Sequence, residues 1–482
     1  MAYKDLQAFI KDLEEANELK RISEPLDPYL EIAEVTDRVS KAVGPALLFE
    51  AARGSEFPVL TNAFGSYPRM HMSLGVDSLD EVGEQVNEFV EIEKPDSIMK
   101  KLKMIPKLAK MANIFPKEVA KGACQEVVYT GDDVDLSIMP VLTTWPEDGG
   151  PFITLPLVIT KNPESGKRNV GMYRMQVFDK NSTGMHWHRH KGGAYHYELA
   201  EKKGERLEVA VALGPEPATT YAATAPLPDD IDEFLFAGFL RQSPVELVKC
   251  KTVDLEVPAE SQFVLEGYVE PGERRREGPF GDHTGYYSLA DDYPVFHVTA
   301  LTHRKDAVYP ATLVGPPPME DCYMGKATER IFLPLIKKQL PEVVDMNLPL
   351  EGVFHNLCFV SVDKRFPGQV RRVMYALWSM GQMMFTKMIV VVDADVDVQN
   401  TSEVLWRMGN NVDPRRDVVI LDGPLDALDH ASPTAFFGGK MGIDATKKGP
   451  EDNHHREWPD SLRMSVEVQV RIDELWDKLG ID

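Results

Sequence analysis

The sequence is poor in cysteine, has fewer basic than acidic residues and has no long apolar run, and each of these features excludes a class of protein. Only four cysteines occur among 482 residues, none in a CxxC pair, which argues against a disulfide framework or a thiolate metal site and predicts a reduced, cytosolic protein. The sequence contains no stretch of about 18 apolar residues, the length needed to span a membrane. The amino terminus has no apolar run of signal-peptide length. The formal net charge of −23 excludes a chain that binds nucleic acid over its whole surface.

Signature motifs of several enzyme classes are absent as well. There is no GxGxxG after a strand, and the GGKMG run at 438–442 lacks the spacing of a phosphate-binding P-loop. GxSxG is missing, so nothing supports a serine hydrolase, and no HExxH occurs. The chemistry of the chain must therefore be sought in other combinations of residues.

What is present is typical of a folded protein with several domains. Hydrophobic residues make up 43% and charged residues 27%, and a length of 482 residues predicts two to four domains. Apolar residues at helical spacing predict a helix near each end of the chain, one through Leu6, Phe9, Ile10 and Leu13, the other through Val468, Ile472, Leu475 and Leu479 before Gly480. The terminal helix could pack on another subunit or on its own domain, and the sequence leaves both open.

The chain between these helices shows two patterns of predicted secondary structure. From about 120 to 305, short β-rich runs divided by Gly and Pro predict a sheet or barrel. After about 355, the order strand, helix, strand, helix, strand predicts α/β layering around a largely buried sheet.

A basic patch stands out from this acidic chain between residues 94 and 121. It consists of eight lysines among apolar residues: Lys94, Lys100, Lys101, Lys103, Lys107, Lys110, Lys117 and Lys121. The patch could contact an anionic membrane surface or partner, or it could be a solvated helix face. Three prolines in the same stretch make it a plausible domain boundary.

Three histidines alternate in the segment MHWHRHKGG. On a strand, His186, His188 and His190 would project from one face, so a metal or phosphate site that uses a subset of them and a set of separate structural histidines are both open. Upstream, Asn169 and Arg174 fall on a predicted strand. They offer a hard oxygen ligand and a guanidinium that can fork onto a phosphate or carboxylate.

A second candidate segment is REGPFGDHTGYY, where Glu277 and Asp282 lie in a glycine-rich turn. Two carboxylates in one loop can divide acid and base roles, or they can be solvated groups of a surface turn. Lys387, at the entrance to a predicted buried strand, could hold a phosphate or simply be exposed. By themselves, these residues predict a soluble, cytosolic α/β metalloenzyme with a mixed carboxylate, arginine and histidine site, and they do not name the reaction.

Long segments of the chain, in order, resemble the UbiD family of decarboxylases, which use prenylated FMN. They include NVGMYR, EGPFGDHTGYY, TKMIVVVDADVD and GGKMGIDATKK. The resemblance implies an α/β (α+β) fold in three domains. These are an amino-terminal α/β domain over 1–118, a central flavin-reductase-like split β-barrel that binds prenylated FMN over 119–315, and a carboxy-terminal α/β domain over 316–482. The last would end in a helix that exchanges contacts between subunits.

The resemblance also implies roles for individual residues. Asn169, His190 and Glu233 are expected to ligate a divalent ion, usually Mn²⁺ with K⁺ nearby, that bridges the flavin phosphate to the protein. The expected cofactor contacts are Met172, Tyr173, Arg174, His186, Trp187, His188, Lys191, Gly192 and Lys387. Arg174, Glu277 and Asp282 match the catalytic network of the family. Asp282 is expected to protonate the carbon that loses CO₂, while Arg174 holds the charged network and Glu277 tunes it.

The implied activity is non-oxidative decarboxylation of an aromatic acid in quinone biosynthesis. The two leading substrates are a 4-hydroxy-3-polyprenylbenzoate and a dihydroxynaphthoate. One alternative is a reversible decarboxylase of other arenes or hydroxybenzoates in catabolism, and another is a non-catalytic flavin-binding or scaffold subunit. The expected partners are a flavin prenyltransferase that supplies the cofactor and further copies of the chain in a homodimer or homohexamer. The protein is expected in the cytoplasm, with the basic patch touching the inner face of the cell membrane.

Overall fold

The computed structural model describes residues 3–90, 113–188, 191–228 and 231–481. The described part of the chain is mixed α/β, which confirms the predicted fold class. No helix within it is long and apolar enough to cross a membrane. The basic patch falls mostly outside the described residues. Of its eight lysines only Lys117 and Lys121 are described, and both are exposed.

The amino-terminal part begins with the predicted amphipathic helix. Its elements are α1 (Leu6–Glu15), β1 (Leu19–Ile22), α2 (Glu31–Lys41), β2 (Ala46–Phe49), β3 (Val59–Thr61), α3 (Tyr67–Leu74) and α4 (Leu79–Val90). The carboxylate of Asp5 accepts the N–H of Ala8 and caps α1, and all four predicted apolar residues of that helix are buried. β1 runs parallel to β2, and β2 runs antiparallel to β3.

The middle of the chain is rich in strands, as predicted. Its elements are β4 (Lys117–Val119), β5 (Val127–Thr130), β6 (Phe152–Ile153), β7 (Pro156–Lys161), β8 (Arg168–Met172), β9 (Met175–Asp179), β10 (Ser182–Gly184), α5 (Gly192–Lys203), β11 (Leu207–Leu213), α6 (Pro217–Ala222), α7 (Glu233–Arg241), β12 (Glu246–Lys249), β13 (Glu256–Pro258), β14 (Phe263–Glu277), β15 (Phe280–Gly281), β16 (Tyr287–Ser288), β17 (Asp291–His303) and β18 (Tyr309–Pro310).

One large antiparallel sheet organises this region. Its order is β6, β9, β10, β17, β14, β11, β7, β8, and β5 pairs with the outer part of β17. Successive residues of β11 belong to different apolar cores, Val209 and Val211 on one face and Ala210 and Ala212 on the other. Because both faces are covered, β11 is apolar nearly throughout and not merely at alternate positions. The long hairpin of β14 and β17 continues past the core and ends in the small β15–β16 hairpin.

The carboxy-terminal part has the predicted α/β layering. Its elements are α8 (Glu320–Gln339), β19 (Val343–Asn347), β20 (Leu357–Val362), α9 (Gln369–Leu377), β21 (Met388–Asp393), α10 (Thr401–Asn411), α11 (Pro414–Asp417), β22 (Val418–Pro424), β23 (Phe437–Asp444), α12 (Val466–Asp473) and α13 (Trp476–Leu479). The sheet order is β19, β20, β21, β23, β22, with β20, β21 and β23 parallel. The predicted terminal helix is present as two short helices, and Gly480 in the left-handed region follows the second.

Two contacts connect these parts across long stretches of chain. β18 pairs in parallel with β3 and so completes the amino-terminal sheet, although the prediction places residues 309–310 in the barrel domain. Glu320, at the start of α8, accepts the backbone N–H of Phe64 at 2.7 Å. This hydrogen bond anchors α8, the first helix of the carboxy-terminal part, directly on the amino-terminal part.

Candidate functional site

The three predicted catalytic residues meet at the end of the long hairpin. Glu277 is the last residue of β14, Asp282 follows β15, and Arg174 lies in the two-residue connection between β8 and β9, not on a strand as predicted. The Nε of Arg174 donates to Glu277 Oε1 at 3.2 Å, and its Nη1 donates to Asp282 Oδ2. The three side chains are 10%, 0% and 7% exposed, so the ion pairs are shielded from water.

The environment of Asp282 holds it as a carboxylate. Burial pushes the pKa of Asp282 upward, but the charge of Arg174 and the hydrogen bonds from His283 outweigh burial, so the pKa lies well below its ordinary value. Arg174 is fixed as well. Its Nη2 donates to Ser288 Oγ at 3.0 Å, and the guanidinium lies 4.6 Å from the ring centroid of Phe280. Asp282 can therefore act as an acid only after something weakens its pairing with Arg174.

Glu277 is also bound by the first of the alternating histidines. Its Oε1 contacts His186 Nδ1 at 2.7 Å, and His186 Nε2 contacts His188 Nε2 at 2.7 Å. These two histidines do not lie on a strand, the arrangement in which alternating histidines would share one face, because β10 ends at Gly184 and the N–H of Trp187 bonds to the carbonyl of Met185. Burial and the charge of Arg174 lower the pKa of His186, which favours its neutral form.

Asn169 and Glu233 come together as predicted for a metal site. Asn169 lies on β8 and Glu233 begins α7, and Glu233 Oε2 accepts the N–H of Val170 at 2.9 Å. Burial raises the pKa of Glu233 to about 7. Arg168 pairs with Asp232 at 2.6 Å, and its charge lowers the pKa of Glu233 by less than burial raises it. The third predicted ligand, His190, lies outside the described residues.

The amino terminus of α5 lies against Asn169. A Cβ on Gly192 would come within 1.9 Å of Asn169 Oδ1, so only glycine permits this approach. The Nδ2 of Asn169 is buried and has no hydrogen-bond partner among the described residues. An amide oxygen, a buried carboxylate and a helix amino terminus fit a divalent ion that holds an anionic group such as a flavin phosphate.

The remaining predicted cofactor contacts are distributed around these two clusters. Tyr173 is buried, and its hydroxyl accepts the N–H of Gly193 at 3.4 Å, beside the start of α5. Trp187 packs on Tyr197 with ring centroids 5.6 Å apart. Burial lowers the pKa of Lys191, which precedes α5. Met172 ends β8 next to Tyr173.

Lys387 lies apart from the barrel residues. It precedes β21 as predicted, and its ammonium donates to Asp429 Oδ2 at 2.6 Å. Its charge is therefore already matched by a carboxylate of the carboxy-terminal part.

A further histidine cluster was not predicted from the sequence. His283 Nδ1 contacts Asp282 Oδ1 at 3.0 Å, and His283 Nε2 contacts His355 Nε2 at 2.8 Å. Asp426 completes the cluster. His355 shortly precedes β20 and Asp426 shortly follows β22, so both lie at the amino-terminal edge of the parallel strands. Ligands of α/β sheets usually bind at the opposite, carboxyl edge, so no signal in the sequence pointed to this cluster.

Three family models match the chain in order. They describe the amino-terminal, Rift-related and carboxy-terminal domains of 3-octaprenyl-4-hydroxybenzoate carboxy-lyase, and they match residues 10–88, 117–317 and 322–445. An uncharacterised protein of Aquifex aeolicus is 54% identical over 483 aligned residues, covering 100% of this chain and 99% of its own length.

Solved structures resemble the chain over nearly its whole length. Vanillic acid decarboxylase of Sedimentibacter hydroxybenzoicus, in a closed form, is 29% identical with a TM-score of 0.85, and 100% of each chain is covered. The UbiD-class enzyme HmfF of Pelotomaculum thermopropionicum, in complex with FMN, is 30% identical with a TM-score of 0.80, covering 94% of this chain and 97% of HmfF. An evolved dimeric form of HmfF, in complex with prFMN, is 29% identical with a TM-score of 0.79, covering 97% of this chain and 100% of its own.

Proposed function

The chain belongs to the UbiD family of decarboxylases, and from this membership we propose that it removes CO₂ from a hydroxyaryl carboxylic acid with the aid of prenylated FMN. The observation that carries the proposal is the buried network of Arg174, Glu277 and Asp282. Arg174 offers a cation for the substrate carboxylate, and Asp282 offers an acid for the ring carbon. Loss of CO₂ from an aromatic ring leaves electrons that no side chain can accept. When bound, prenylated FMN supplies the electron sink.

The network suggests how Asp282 becomes protonated. Arg174 already faces two carboxylates, so the carboxylate of an incoming substrate competes with Asp282 for the guanidinium. Weaker pairing with Arg174 raises the pKa of Asp282, because the charge of Arg174, together with the hydrogen bonds and charge of His283, is what keeps this pKa low. Asp282 can then carry a proton to the ring carbon, while Glu277 keeps Arg174 and His186 in place.

The phosphate end of the cofactor would be held on the other cluster. Asn169 and Glu233, together with His190, would ligate Mn²⁺ with K⁺ nearby, and the amino terminus of α5 at Lys191 and Gly192 would face the phosphate. The raised pKa of Glu233 supports this assignment, because a bound cation would stabilise the buried carboxylate. The buried Nδ2 of Asn169 is a donor, and an anionic group such as the phosphate would accept its N–H.

The proposed place of the reaction is quinone biosynthesis. The matching family models are those of a 3-octaprenyl-4-hydroxybenzoate carboxy-lyase, which supports a 4-hydroxy-3-polyprenylbenzoate as substrate. A dihydroxynaphthoate is the second substrate of this class. The similarity to vanillic acid decarboxylase supports the alternative, a simple hydroxybenzoate in catabolism.

Further copies of the chain and a cofactor supplier complete the proposal. The apolar side of α12 is uncovered within the described chain, with Val468 42% and Ile472 37% exposed, which supports a homo-oligomer in which a second copy covers it. A flavin prenyltransferase would supply the cofactor. The basic patch would bring the protein to the membrane that holds a polyprenylated substrate.

Coexpression with a flavin prenyltransferase tests the proposed function. The purified protein should show a flavin absorption spectrum and should release CO₂ from the polyprenylated hydroxybenzoate or the dihydroxynaphthoate. If the protein releases CO₂ only from simple hydroxybenzoates, it is a catabolic decarboxylase and not an enzyme of quinone biosynthesis. Retention of the flavin without CO₂ release from any aromatic acid would favour a non-catalytic binding subunit.

A further inference from the structure

Three metal-binding side chains from distant parts of the chain converge beside the catalytic network. His283 follows β15, His355 lies in the loop before β20, and Asp426 lies in the loop after β22. One ligand atom from each lies within 4.8 Å of the other two. None of the three belongs to the site at Asn169 and Glu233, and no step of the proposed reaction uses His355 or Asp426.

The arrangement has the features of a transition-metal site. Two imidazole nitrogens and a carboxylate oxygen are ligands that zinc-type ions accept, and such ions bind imidazole at about 2.0–2.1 Å. Two such bonds at a tetrahedral angle place the nitrogens about 3.3 Å apart. The Nε2 atoms of His283 and His355 are 2.8 Å apart, so small ring movements would admit an ion.

The surroundings of the cluster orient its ligands. Metal-binding histidines usually donate their second N–H to a carboxylate, and His283 Nδ1 contacts Asp282 Oδ1 at 3.0 Å. The carboxylate of Asp426 accepts the N–H of Leu428 at 2.9 Å. The ring of Phe354 packs on His283 with centroids 4.9 Å apart.

His355 follows an unusual stretch of backbone. The two residues before it, Val353 and Phe354, have φ values of +42° and +52°, where β-branched and bulky residues are rare. Such strained backbone clusters at ligand-binding sites, and here it delivers His355 to the cluster.

We propose that His283, His355 and Asp426 bind a divalent transition-metal ion of the Zn²⁺ type, at a site separate from that of Asn169 and Glu233. With three protein ligands, the ion keeps at least one position for water. Its bond to His283 Nε2 fixes the proton of that ring on Nδ1, facing Asp282. The ion thereby makes His283 a positioning residue for the carboxylate of the catalytic network.

Cobalt binding to the metal-stripped, full-length protein tests this proposal without any assay of activity. Co²⁺ is the probe, and the readouts are its visible absorption, the stoichiometry and the Kd. Glu233→Gln removes the other candidate site, and this variant should still bind one Co²⁺ with the spectrum of a low-coordinate, nitrogen-containing site. Adding His355→Ala or Asp426→Asn to this variant should weaken that binding about tenfold or more.

His430→Ala is the matched control, because His430 is exposed and follows Asp426 by four residues. It should leave Co²⁺ binding unchanged. The proposal is wrong if Glu233→Gln abolishes all Co²⁺ binding, or if the folded Asp426→Asn and His355→Ala proteins bind Co²⁺ as tightly as their parent. The Glu233→Gln arm decides the question even where a ligand variant does not fold, and no arm depends on decarboxylation.

Discussion

Each carboxylate of the catalytic network has two kinds of partner. Glu277 accepts from Arg174 and contacts His186, and Asp282 accepts from Arg174 and is bound by His283. Removing Arg174 would leave two buried carboxylates without their cation, which destabilises a protein by roughly 3–5 kcal/mol for a buried pair. Substitutions that keep shape and remove charge are therefore the informative ones at this site.

Gly192 provides a test of the proposed metal site at a single atom. A methyl group there would collide with the Asn169 side-chain oxygen, so Gly192→Ala should displace that ligand and weaken Mn²⁺ binding about tenfold or more. Mn²⁺ affinity can be measured by electron paramagnetic resonance of the free ion.

Gly409→Ala is the control, since this exposed helical glycine has open space around it. It should leave Mn²⁺ affinity unchanged and raise stability by about 0.5–1 kcal/mol. Equal Mn²⁺ affinity in both variants would contradict the assignment of Asn169.

The sequence allowed some site residues to be predicted and concealed others for physical reasons. Glu277 and Asp282 lie in one loop, so their proximity follows from the chain itself. Their meeting with Arg174 depends on strand pairing in the sheet and was implied only by the resemblance. His283 and His355 are 72 residues apart, and no local pattern indicates that they touch.

At the scale of elements, helical spacing predicted α1 correctly, and the short β-rich runs predicted the strand-rich middle of the chain. The alternating histidines would share one face on a strand, but residues 185–188 form none. The N–H of Trp187 bonds to the carbonyl of Met185 two residues earlier, which is not the hydrogen bonding of a strand. His186 and His188 still contact each other, with their Nε2 atoms 2.7 Å apart.

The start of α8 places a carboxyl group in an apolar setting. Glu320 is 2% exposed, and burial raises its pKa to about 7, against 4.5 in an unfolded chain. The native state therefore binds this proton more tightly. The protonated Glu320 therefore makes its full contribution to the free energy of unfolding below about pH 4.5, and this contribution is lost as the pH rises through about 7.

Glu320→Gln should remove this pH dependence while keeping an acceptor for Phe64. The variant and the wild type should be equally stable at pH 4. At pH 8 the variant should be more stable by up to the order of 3 kcal/mol, because it buries no charge. Urea denaturation at both pH values gives the comparison, with Glu467→Gln on exposed α12 as the control that shows no such gain. A variant less stable than the wild type at pH 8 would show that the Glu320 charge is needed.

At the scale of the whole molecule, the net charge of −23 does not describe the local charge at the candidate site. Arg174 is buried between carboxylates, and the amino terminus of α5 adds the partial positive charge of a helix dipole. The exposed apolar side of α12 is a second whole-molecule feature, since nothing in the described chain covers it. An acidic surface keeps such chains soluble while specific contacts assemble them.

Charge on α12 should therefore break the proposed oligomer. The double variant Val468→Glu and Ile472→Glu places carboxylates on the exposed apolar side, where a partner chain would have to bury them. Light scattering after gel filtration should show the mass of one chain for this variant and a multiple of it for the wild type. Gln469→Glu, on the same helix, adds a charge at an already polar position and should keep the wild-type mass. An unchanged mass in the double variant would place the interface elsewhere.

Asp282 is proposed as the group that carries a proton to the substrate carbon, and the proposed function depends most directly on this residue. The direct measurement is CO₂ release by the prenylated-FMN-loaded protein, compared between Asp282→Asn and Asp292→Asn at equal cofactor occupancy. Asp292 is exposed on the same hairpin and lies outside the network. We expect Asp292→Asn to keep wild-type turnover and Asp282→Asn to lose at least about 100-fold. Equal turnover of the two variants would contradict the proposed function of the Arg174, Glu277 and Asp282 network.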